Sequence, residues 1–407
     1  MEGKRLLERI RLTNFLSYGP EGVEIHLQPL NVLIGANGSG KSNLIEALSI
    51  LQAAPTDLSK PIREGGGMAE WPWKGGGGSP AVDLRVEATV SYPDGPVPLK
   101  YWFQLRRVGW QLEVADEGLE NASESNHAAA GTETFYGFRE GVPVLRAREQ
   151  RNAPPGTDVG RRERRLDPRE LISNKSVLSQ RKDPDQYPEL TYLGRVFSEI
   201  SLFRECHLGR KSPLRGPQDA AQQTDFLLEN GGNLALVLND LSNQPAAWRV
   251  LLEQLRRFYP DVEAITTKVQ SGIIDFLFHE RDFSEPVVSA RLSDGTLRYL
   301  CLLSILCHPN PPPLVCIEDP EAGLHPDALY LLAELMIEAS QRTQLVVTTH
   351  SDVLVSAMTE APEAVVVVER DAYGSHLYRL QPDKLKHWLK RYSLGDVWRI
   401  GEIGGNP

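Results

Sequence analysis

The chain has 407 residues, of which 41% are hydrophobic and 24% charged, and its formal net charge is −10. This length can bury a sizeable core and is typical of one large domain with an inserted or companion lobe. The acidic balance argues against a protein that coats nucleic acid all over. No run reaches the roughly 18–20 apolar residues of a membrane span, and the N-terminus lacks the apolar core of a signal peptide.

The cysteines are spaced unlike metal ligands. They are Cys206, Cys301, Cys307 and Cys316. Three lie in apolar surroundings, so we interpret them as buried free thiols. This usage indicates a reducing, cytoplasmic location.

The N-terminal part predicts strands, a loop and a helix in succession. Alternating apolar residues predict strands at 7–12 and 23–27, and the apolar run Leu30–Ile34 is typical of a buried strand. A glycine-rich loop over 35–42 is followed by an apolar-rich helix over 43–51. The segments beyond, in chain order, are predicted as a loop, two stretches of antiparallel strand and a second loop: 55–80, 82–90, 99–114 and 116–134.

Residues 139–260 favour helix, but many prolines interrupt the pattern and exclude a long coiled coil. Two amphipathic helices are predicted at 233–241 and 248–259. We therefore divide the chain into an N-terminal part of a head domain, a helical, arginine-rich insertion and a C-terminal part of the head. The divisions are 1–138, 139–260 and 261–407.

Charge is concentrated in this insertion. Residues 139–215 hold 17 lysines and arginines against 11 acidic residues. The densest run is Arg161-Arg-Glu-Arg-Arg165, and Arg146, Arg148, Arg151 and Arg169 lie near it in sequence. Such asymmetry indicates an anionic partner such as DNA. The alternative, which stays open here, is a solvated loop whose arginines pair with its own acids.

The last third alternates strand and helix, as a parallel sheet requires. After a strand at 273–278, the predicted order is helix, strand, helix, strand, helix and strand: 297–306, 314–317, 328–339, 345–349, 353–358 and 364–368. The predicted fold class is α/β.

The loop at 35–42 has the spacing Gly-x-x-x-x-Gly-Lys-Ser of a phosphate-binding loop, between an apolar strand and a helix. Glycines let backbone N–H groups converge on phosphate, and the start of the helix contributes its positive dipole. Lys41 is expected to reach the β- and γ-phosphates, and the Ser42 hydroxyl to bind Mg²⁺. The remaining expected nucleotide contacts are Asn37, Gly38, Ser39 and Gly40.

A buried strand ends in two acids some 275 residues after this loop. We expect Glu318 to order the Mg²⁺ shell together with Ser42, and Asp319 to polarise the attacking water. The plain alternative is a solvated acidic turn. His350 follows a second apolar strand, where a lone histidine is usually structural. Its position resembles that of the histidine with which ABC-type ATPases contact the γ-phosphate, and this resemblance implies a catalytic role for it.

Taken together, the order of these motifs resembles that of the RecF/SMC-like predicted ATPases of bacteria. The resemblance is carried by runs such as GANGSGKSNLIEAL, LSDGTLRYLCLLSIL, PPLVCIEDPEAGLHP and TQLVVTTHS. It implies an ABC-type P-loop NTPase head with an antiparallel β lobe and a helical insertion between the P-loop and the signature motif. It also implies ATP and Mg²⁺ as cofactors and a role in DNA repair or in defence against phage.

The resemblance identifies Leu292–Thr296 as the signature sequence, in which Ser293 and Gly295 contact ATP held by a second subunit. It therefore implies an ATP-dependent homodimer, with DNA or an effector protein as partner and no membrane. Residues 321–326 resemble the D-loop, which runs along the dimer seam. Three departures stand out. The acids come in the order Glu-Asp, Asp294 adds a negative charge to the signature, and Gln104 is a poor candidate for the usual metal-contacting glutamine.

The expected function is an ATPase that gates action on DNA or on an effector. A scaffold that binds ATP and hydrolyses it slowly is the alternative, because Asp319 is one methylene shorter than the usual glutamate. A transporter ATPase fits the wide gap between P-loop and signature less well. A fused nuclease would need more acids than Glu369 and Asp371 supply near the C-terminus.

Overall fold

The structure, a computed structural model, describes residues 3–75, 83–122, 133–149, 160–204 and 209–404. Its strands, in chain order, are β1 Leu7–Thr13, β2 Val23–His26, β3 Leu30–Ile34, β4 Asp83–Val90, β5 Leu99–Val108, β6 Gln111–Asn121, β7 Thr134–Arg139, β8 Val142–Arg148, β9 Arg161–Arg165, β10 Ser201–Phe203, β11 Gln218–Asp219, β12 Val262–Gln270, β13 Ile273–Glu280, β14 Val287–Val288, β15 Leu314–Glu318, β16 Gln344–Thr348, β17 Val365–Asp371 and β18 Gly374–Arg379.

The helices of these described residues are α1 Lys41–Ala53, α2 Ser59–Glu64, α3 Val177–Gln180, α4 Pro188–Ser198, α5 Leu234–Ser242, α6 Pro245–Phe258, α7 Asp294–Leu306, α8 Pro326–Ala339, α9 Asp352–Ala357, α10 Pro382–Leu385 and α11 Leu394–Arg399. Within the described ranges, no helix is long and apolar enough to cross a membrane. Cys301, Cys307 and Cys316 are buried free thiols, as predicted, and Cys206 lies outside the described residues.

A six-stranded sheet in the order β10-β15-β16-β3-β17-β18 forms the centre of the molecule. Its strands run parallel except for β18, which pairs antiparallel with β17. All five residues of β3 are buried. Leu30, Val32 and Ile34 face one hydrophobic core, whereas Leu33 faces another, so the sheet is covered on both sides. The predicted parallel sheet is confirmed.

An eight-stranded antiparallel sheet, in the order β2-β1-β4-β5-β6-β7-β8-β9, packs into the second core together with α1 and α4. This sheet confirms the predicted antiparallel lobe. It is larger than expected, because β6 continues to Asn121 and β7 begins at Thr134 within the segment predicted as a loop.

The beginning of the predicted helical insertion is strand instead. β8 and β9 complete the antiparallel sheet, and β10 joins the parallel sheet beside β15. Helices resume only at Val177. The run 161–165 escaped prediction because it contains no apolar residue; five register pairs with β8 hold it as an edge strand. The division at 138 and 260 stays a prediction.

The arginines of β9 differ in their surroundings. Arg161 is 15% exposed, its guanidinium donates to Glu189 at 2.8 Å, and it lies over the ring of Phe135. Arg161 is therefore part of the lobe's internal packing and not a free surface cation. Arg162, Arg164 and Arg165 are exposed. Arg151 lies outside the described residues.

Candidate functional site

The phosphate-binding loop joins β3 to α1, as predicted. Gly40 has φ 112°, and a Cβ there would meet the hydroxyl oxygens of Ser375 at 2.4 Å and Ser17 at 2.6 Å. The position therefore requires glycine on both conformational and steric grounds. A glycine turn that opens a helix is the arrangement in which backbone N–H groups bind phosphate. Residues 36–38 of the loop are exposed, whereas Ser39 is buried.

Side chains distant in sequence hold this loop in place. The Tyr18 hydroxyl donates to the Gly40 carbonyl at 2.8 Å. The Ser375 hydroxyl donates to the Ser39 carbonyl and is also hydrogen-bonded to the Ser17 hydroxyl. The Asn43 amide donates to Ser17 Oγ at 2.7 Å. Sequence reasoning missed these supports, because residue 375 comes some 330 positions after the loop that it holds.

The Lys41 ammonium folds back onto the loop. Its Nζ donates to the carbonyl oxygens of Gly35 at 2.7 Å and Ala36 at 3.1 Å. Burial lowers the pKa of Lys41, and the nearby carboxylates of Asp319 and Glu321 oppose that shift. A phosphate would replace these neutral carbonyl acceptors with charged ones, which form stronger hydrogen bonds.

Glu318 ends β15, which β16 separates from β3 in the sheet. Burial raises the pKa of Glu318, although Arg204 and the nearby Ser42 hydroxyl counteract the effect. Arg204 directly follows β10, the neighbour of β15; its guanidinium lies 3.8 Å from Glu318 and 2.5 Å from Glu46. The sequence did not single out Arg204, because only the sheet order places it here.

Asp319 turns the chain away from the sheet with φ 43°, in the left-handed region. Its N–H donates to the Thr348 carbonyl at 3.2 Å, and its carboxylate accepts from the Thr348 hydroxyl at 3.3 Å. Arg298, on α7, donates to the carbonyl oxygens of Asp319 at 2.6 Å and Pro320 at 3.3 Å. With only 6% exposure, Arg298 is a buried brace for the acidic turn.

Glu321 connects the acidic turn to the segment that carries His350. One of its carboxylate oxygens accepts from the Thr349 hydroxyl at 2.7 Å and from the His350 N–H at 2.8 Å. The other is buried and has no hydrogen-bond partner among the described residues. The sequence assigned Glu321 only to the dimer seam, so its contact with the histidine segment is a finding of the structure.

The signature sequence begins α7. The Ser293 hydroxyl caps the helix by accepting from the Thr296 N–H at 3.0 Å, and Asp294 is its first residue. A Cβ at Gly295 would meet the Gly323 carbonyl at 2.8 Å, so the signature packs closely on the segment 321–326. The hydrogen bond from Arg215 lowers the pKa of Asp294. The negative charge that Asp294 adds to the signature is thus compensated within its own chain.

The structure brings most of the predicted site residues together at the carboxyl ends of β3, β15 and β16. No hydrogen bond among the described residues joins Ser293 or Gly295 to residues 35–42, so these two are not part of that assembly. Gln104 lies on β5 of the antiparallel sheet, where its amide donates to Asp83 at 2.7 Å.

The assembled donors and acceptors fit ATP with Mg²⁺. The Ser42 hydroxyl and the Glu318 carboxylate lie near each other and are hard oxygen ligands of the kind that Mg²⁺ prefers. The described residues contain no group of three His, Cys, Asp or Glu that could hold a metal alone, so phosphate oxygens would complete the shell. Within the described part of the chain, the buried Ser39 Oγ and the second Glu321 oxygen have no hydrogen-bond partner, which a polar ligand or water would supply.

Comparisons with known proteins agree with this geometry. The chain is similar to an SMC head bound to the C-winged helix domain of ScpA, with a TM-score of 0.58, 15% identity, and coverage of 93% of this chain and 99% of the other. An SMC head with an extended coiled coil from Pyrococcus furiosus, bound to the C-terminal domain of ScpA, has a TM-score of 0.56 and 15% identity, with coverage of 95% of this chain and 98% of the other. An SMC head with a coiled coil and joint from Pyrococcus yayanosii has a TM-score of 0.52 and 12% identity, with coverage of 95% of this chain and 99% of the other.

At such low identities these structures establish the fold alone, which is that of an SMC-type ATPase head. No curated protein matches the sequence. Residues 30–356, which run from the P-loop strand past His350, match the model of a family described as "AAA domain, putative AbiEii toxin, Type IV TA system". The chain therefore belongs to this family of P-loop ATPase domains.

Proposed function

We propose that the protein binds and hydrolyses ATP at sites shared between two copies of the chain, and that this cycle gates an action on DNA or on an effector protein. The convergence of Lys41, Ser42, Glu318, Asp319 and His350 at one edge of the parallel sheet carries the proposal. Positioning and charge stabilisation dominate phosphoryl transfer, and these residues supply both.

Each residue has a separate task. Lys41 and the loop N–H groups bind the triphosphate, and Ser42 with Glu318 hold Mg²⁺, which neutralises charge on the phosphates. Asp319 orients the attacking water as general base. His350, anchored by its N–H to Glu321, contacts the γ-phosphate. Tyr18, Ser17 and Ser375 keep the loop in its binding conformation without touching the nucleotide.

A scaffold with slow turnover remains the second candidate, because Asp319 is short and its carboxylate accepts from Thr348. A general base must reach the water directly, and a short side chain engaged elsewhere reaches less far. Asp319→Glu distinguishes the two candidates. We expect this variant to hydrolyse ATP faster than the parent if the short side chain limits turnover, and no faster if another step does.

The family description supports a toxin or defence role, and the SMC heads with ScpA support a protein partner at an ATPase head. Hydrolysis is measured with and without DNA, and with any protein that co-purifies. Calorimetry on Lys41→Ala tests the nucleotide site directly, since this variant removes the main positive charge on the triphosphate. Unchanged affinity for ATP would remove the assignment.

A further inference from the structure

A short basic turn lies against the signature sequence, and the site described above does not use it. Residues Gly209–Ser212 form this basic turn, closed by the Ser212 N–H, which donates to the Gly209 carbonyl at 3.0 Å. Arg210 and Lys211 occupy its centre and are exposed. Neither forms an ion pair with a carboxylate in the part of the chain that the structure describes.

The basic turn is fastened to the signature by several hydrogen bonds. The Gly209 N–H donates to the Asp294 carboxylate at 3.1 Å. Arg215, which is 14% exposed, donates to the carbonyl oxygens of Leu292 and Ala290, to the Gly209 carbonyl and to the Asp294 carboxylate. Charged hydrogen bonds of this kind hold geometry well. The basic turn and Ser293 therefore belong to one local unit.

The charges of this unit favour an anionic ligand. Arg215 compensates Asp294, whereas Arg210 and Lys211, the exposed cations of the turn that is hydrogen-bonded to Asp294, pair with no carboxylate among the described residues. Exposed cations that face developing phosphate charge are among the strongest contributors to phosphoryl transfer. A surface that carries both a helix N-terminus with a serine cap and two exposed cations is complementary to a triphosphate.

We propose that Arg210 and Lys211 contact the triphosphate bound at the P-loop of a second copy of the chain, with Arg215 as the residue that positions them. This inference rests on the shared-site dimer proposed above. It adds two cationic ligands to the half of each ATP site that the partner copy contributes.

Arg210→Ala with Lys211→Ala is the test variant, and Lys390→Ala with Arg391→Ala is its control, because it removes the same charge from another exposed pair. We expect the test variant to keep its affinity for ATP as a single chain. Its hydrolysis should fall by about tenfold or more, and ATP-driven association, measured by light scattering in an Asp319→Asn background, should weaken. The control should match the parent in all three.

Differently tagged subunits, co-purified as heterodimers, decide on which side the cations act. Lys41→Ala paired with the test variant contains one site whose P-loop and opposing basic turn are both intact. It should therefore hydrolyse ATP as fast as Lys41→Ala paired with the parent. A chain carrying Lys41→Ala and both basic-turn changes, paired with the parent, should hydrolyse ATP about tenfold or more slowly than that pairing. The same pairs of subunits, each with Asp319→Asn added, are also compared by their ATP-driven association, which requires no hydrolysis.

Two results would overturn the inference. One is a test variant that equals the control in hydrolysis and in association. The other is a heterodimer of Lys41→Ala and the test variant that hydrolyses ATP as slowly as the test variant alone. That result would place the cations at the nucleotide of their own chain. If the parent neither hydrolyses ATP nor associates with it, the proposed function fails as well. A loss confined to the test variant, with a parent that hydrolyses ATP and associates with it, leaves that function standing.

Discussion

Arg298 of the signature helix donates from its guanidinium to the backbone carbonyl oxygen of Asp319 at 2.6 Å. In the shared-site dimer proposed above, this partly buried bond would link the helix that serves one nucleotide to the acid that serves the other. A displacement of α7 would be transmitted to the acidic turn through a rigid, charged contact.

We predict that Arg298→Met lowers kcat by at least about tenfold while nucleotide affinity changes little, because the turn loses its brace but the P-loop does not. Buried carbonyl oxygens left without donors cost about 1–3 kcal/mol each, so the melting temperature should also fall. Arg298→Lys should recover part of kcat by restoring one donor.

Arg342→Lys is the matched control for this experiment. Arg342 also donates to a backbone carbonyl, that of Leu306 at 2.7 Å, but at the opposite end of α7. It should lower stability without a selective loss of kcat. Equal losses of kcat in the two lysine variants would mean that Arg298 acts only through stability.

ATP should drive association of the chain when hydrolysis is blocked by Asp319→Asn. Ser293→Arg should prevent it, because Ser293 is exposed at the start of α7 and the arginine would put bulk and charge in the seam. Light scattering with and without ATP measures the mass. A constant mass would argue against the model unless the protein is a permanent dimer, in which case Lys41→Ala and Ser293→Arg subunits should restore one site in two when mixed.

If the exposed arginines of β9 hold DNA, binding should weaken steeply with salt. They line an open cleft of about 780 Å³ between β9 and Gln186. Replacing Arg162, Arg164 and Arg165 by Gln should flatten the log–log salt slope by up to about 2.7, since each phosphate contact contributes about 0.9. Arg161 should be left unchanged, because its loss would remove the ion pair that it forms with the buried carboxylate of Glu189.

Fluorescent duplex titrated at several salt concentrations, with a non-hydrolysable ATP analogue present, measures this slope. Lys384, Lys390 and Arg391, changed together to Gln, remove the same charge elsewhere and should leave the slope unchanged. The same affinity and slope in the β9 variant and the parent would show that these arginines do not bind DNA.

Glu117 makes the antiparallel lobe sensitive to pH. Its buried carboxylate accepts hydrogen bonds from the hydroxyls of Tyr101 and Ser176 and from the Val177 N–H. Burial raises the pKa of Glu117 from 4.5 to about 7. A raised pKa means that the folded state binds the proton more tightly than the unfolded state. The stabilisation is therefore complete below pH 4.5 and is lost as the pH rises toward 7 and above.

Glu117→Gln mimics the protonated carboxyl and should remove this dependence. Relative to the variant, the parent should lose roughly 3 kcal/mol of unfolding free energy between pH 4.5 and 8. Denaturant unfolding at several pH values measures the difference. Glu113→Gln, on the same strand but partly exposed, is the control. Parallel stability profiles for Glu117→Gln and the parent would contradict the prediction.

The candidate ATP site could be predicted from the sequence where neighbouring residues alone identify its chemistry. Lys41 and Ser42 are fixed by the spacing within one loop, and Glu318 and His350 by the ends of two apolar strands. Arg204 and Ser375 could not be found in this way, because only the order of strands in the sheet brings them to the loop. The β9 run was missed for a different reason: cross-strand pairing stabilises it, and no apolar alternation marks it.

The central strand β3 pairs only with β16 and β17, both of which follow it by more than 300 residues. During synthesis at about 5–20 residues per second, the strand that carries the P-loop therefore waits roughly 15–60 s for its neighbours. A nascent or truncated chain that lacks β16 and β17 leaves both edges of β3 open. We expect such fragments to need chaperones and to gain no protection from ATP, so nucleotide can stabilise only chains whose synthesis has passed β17.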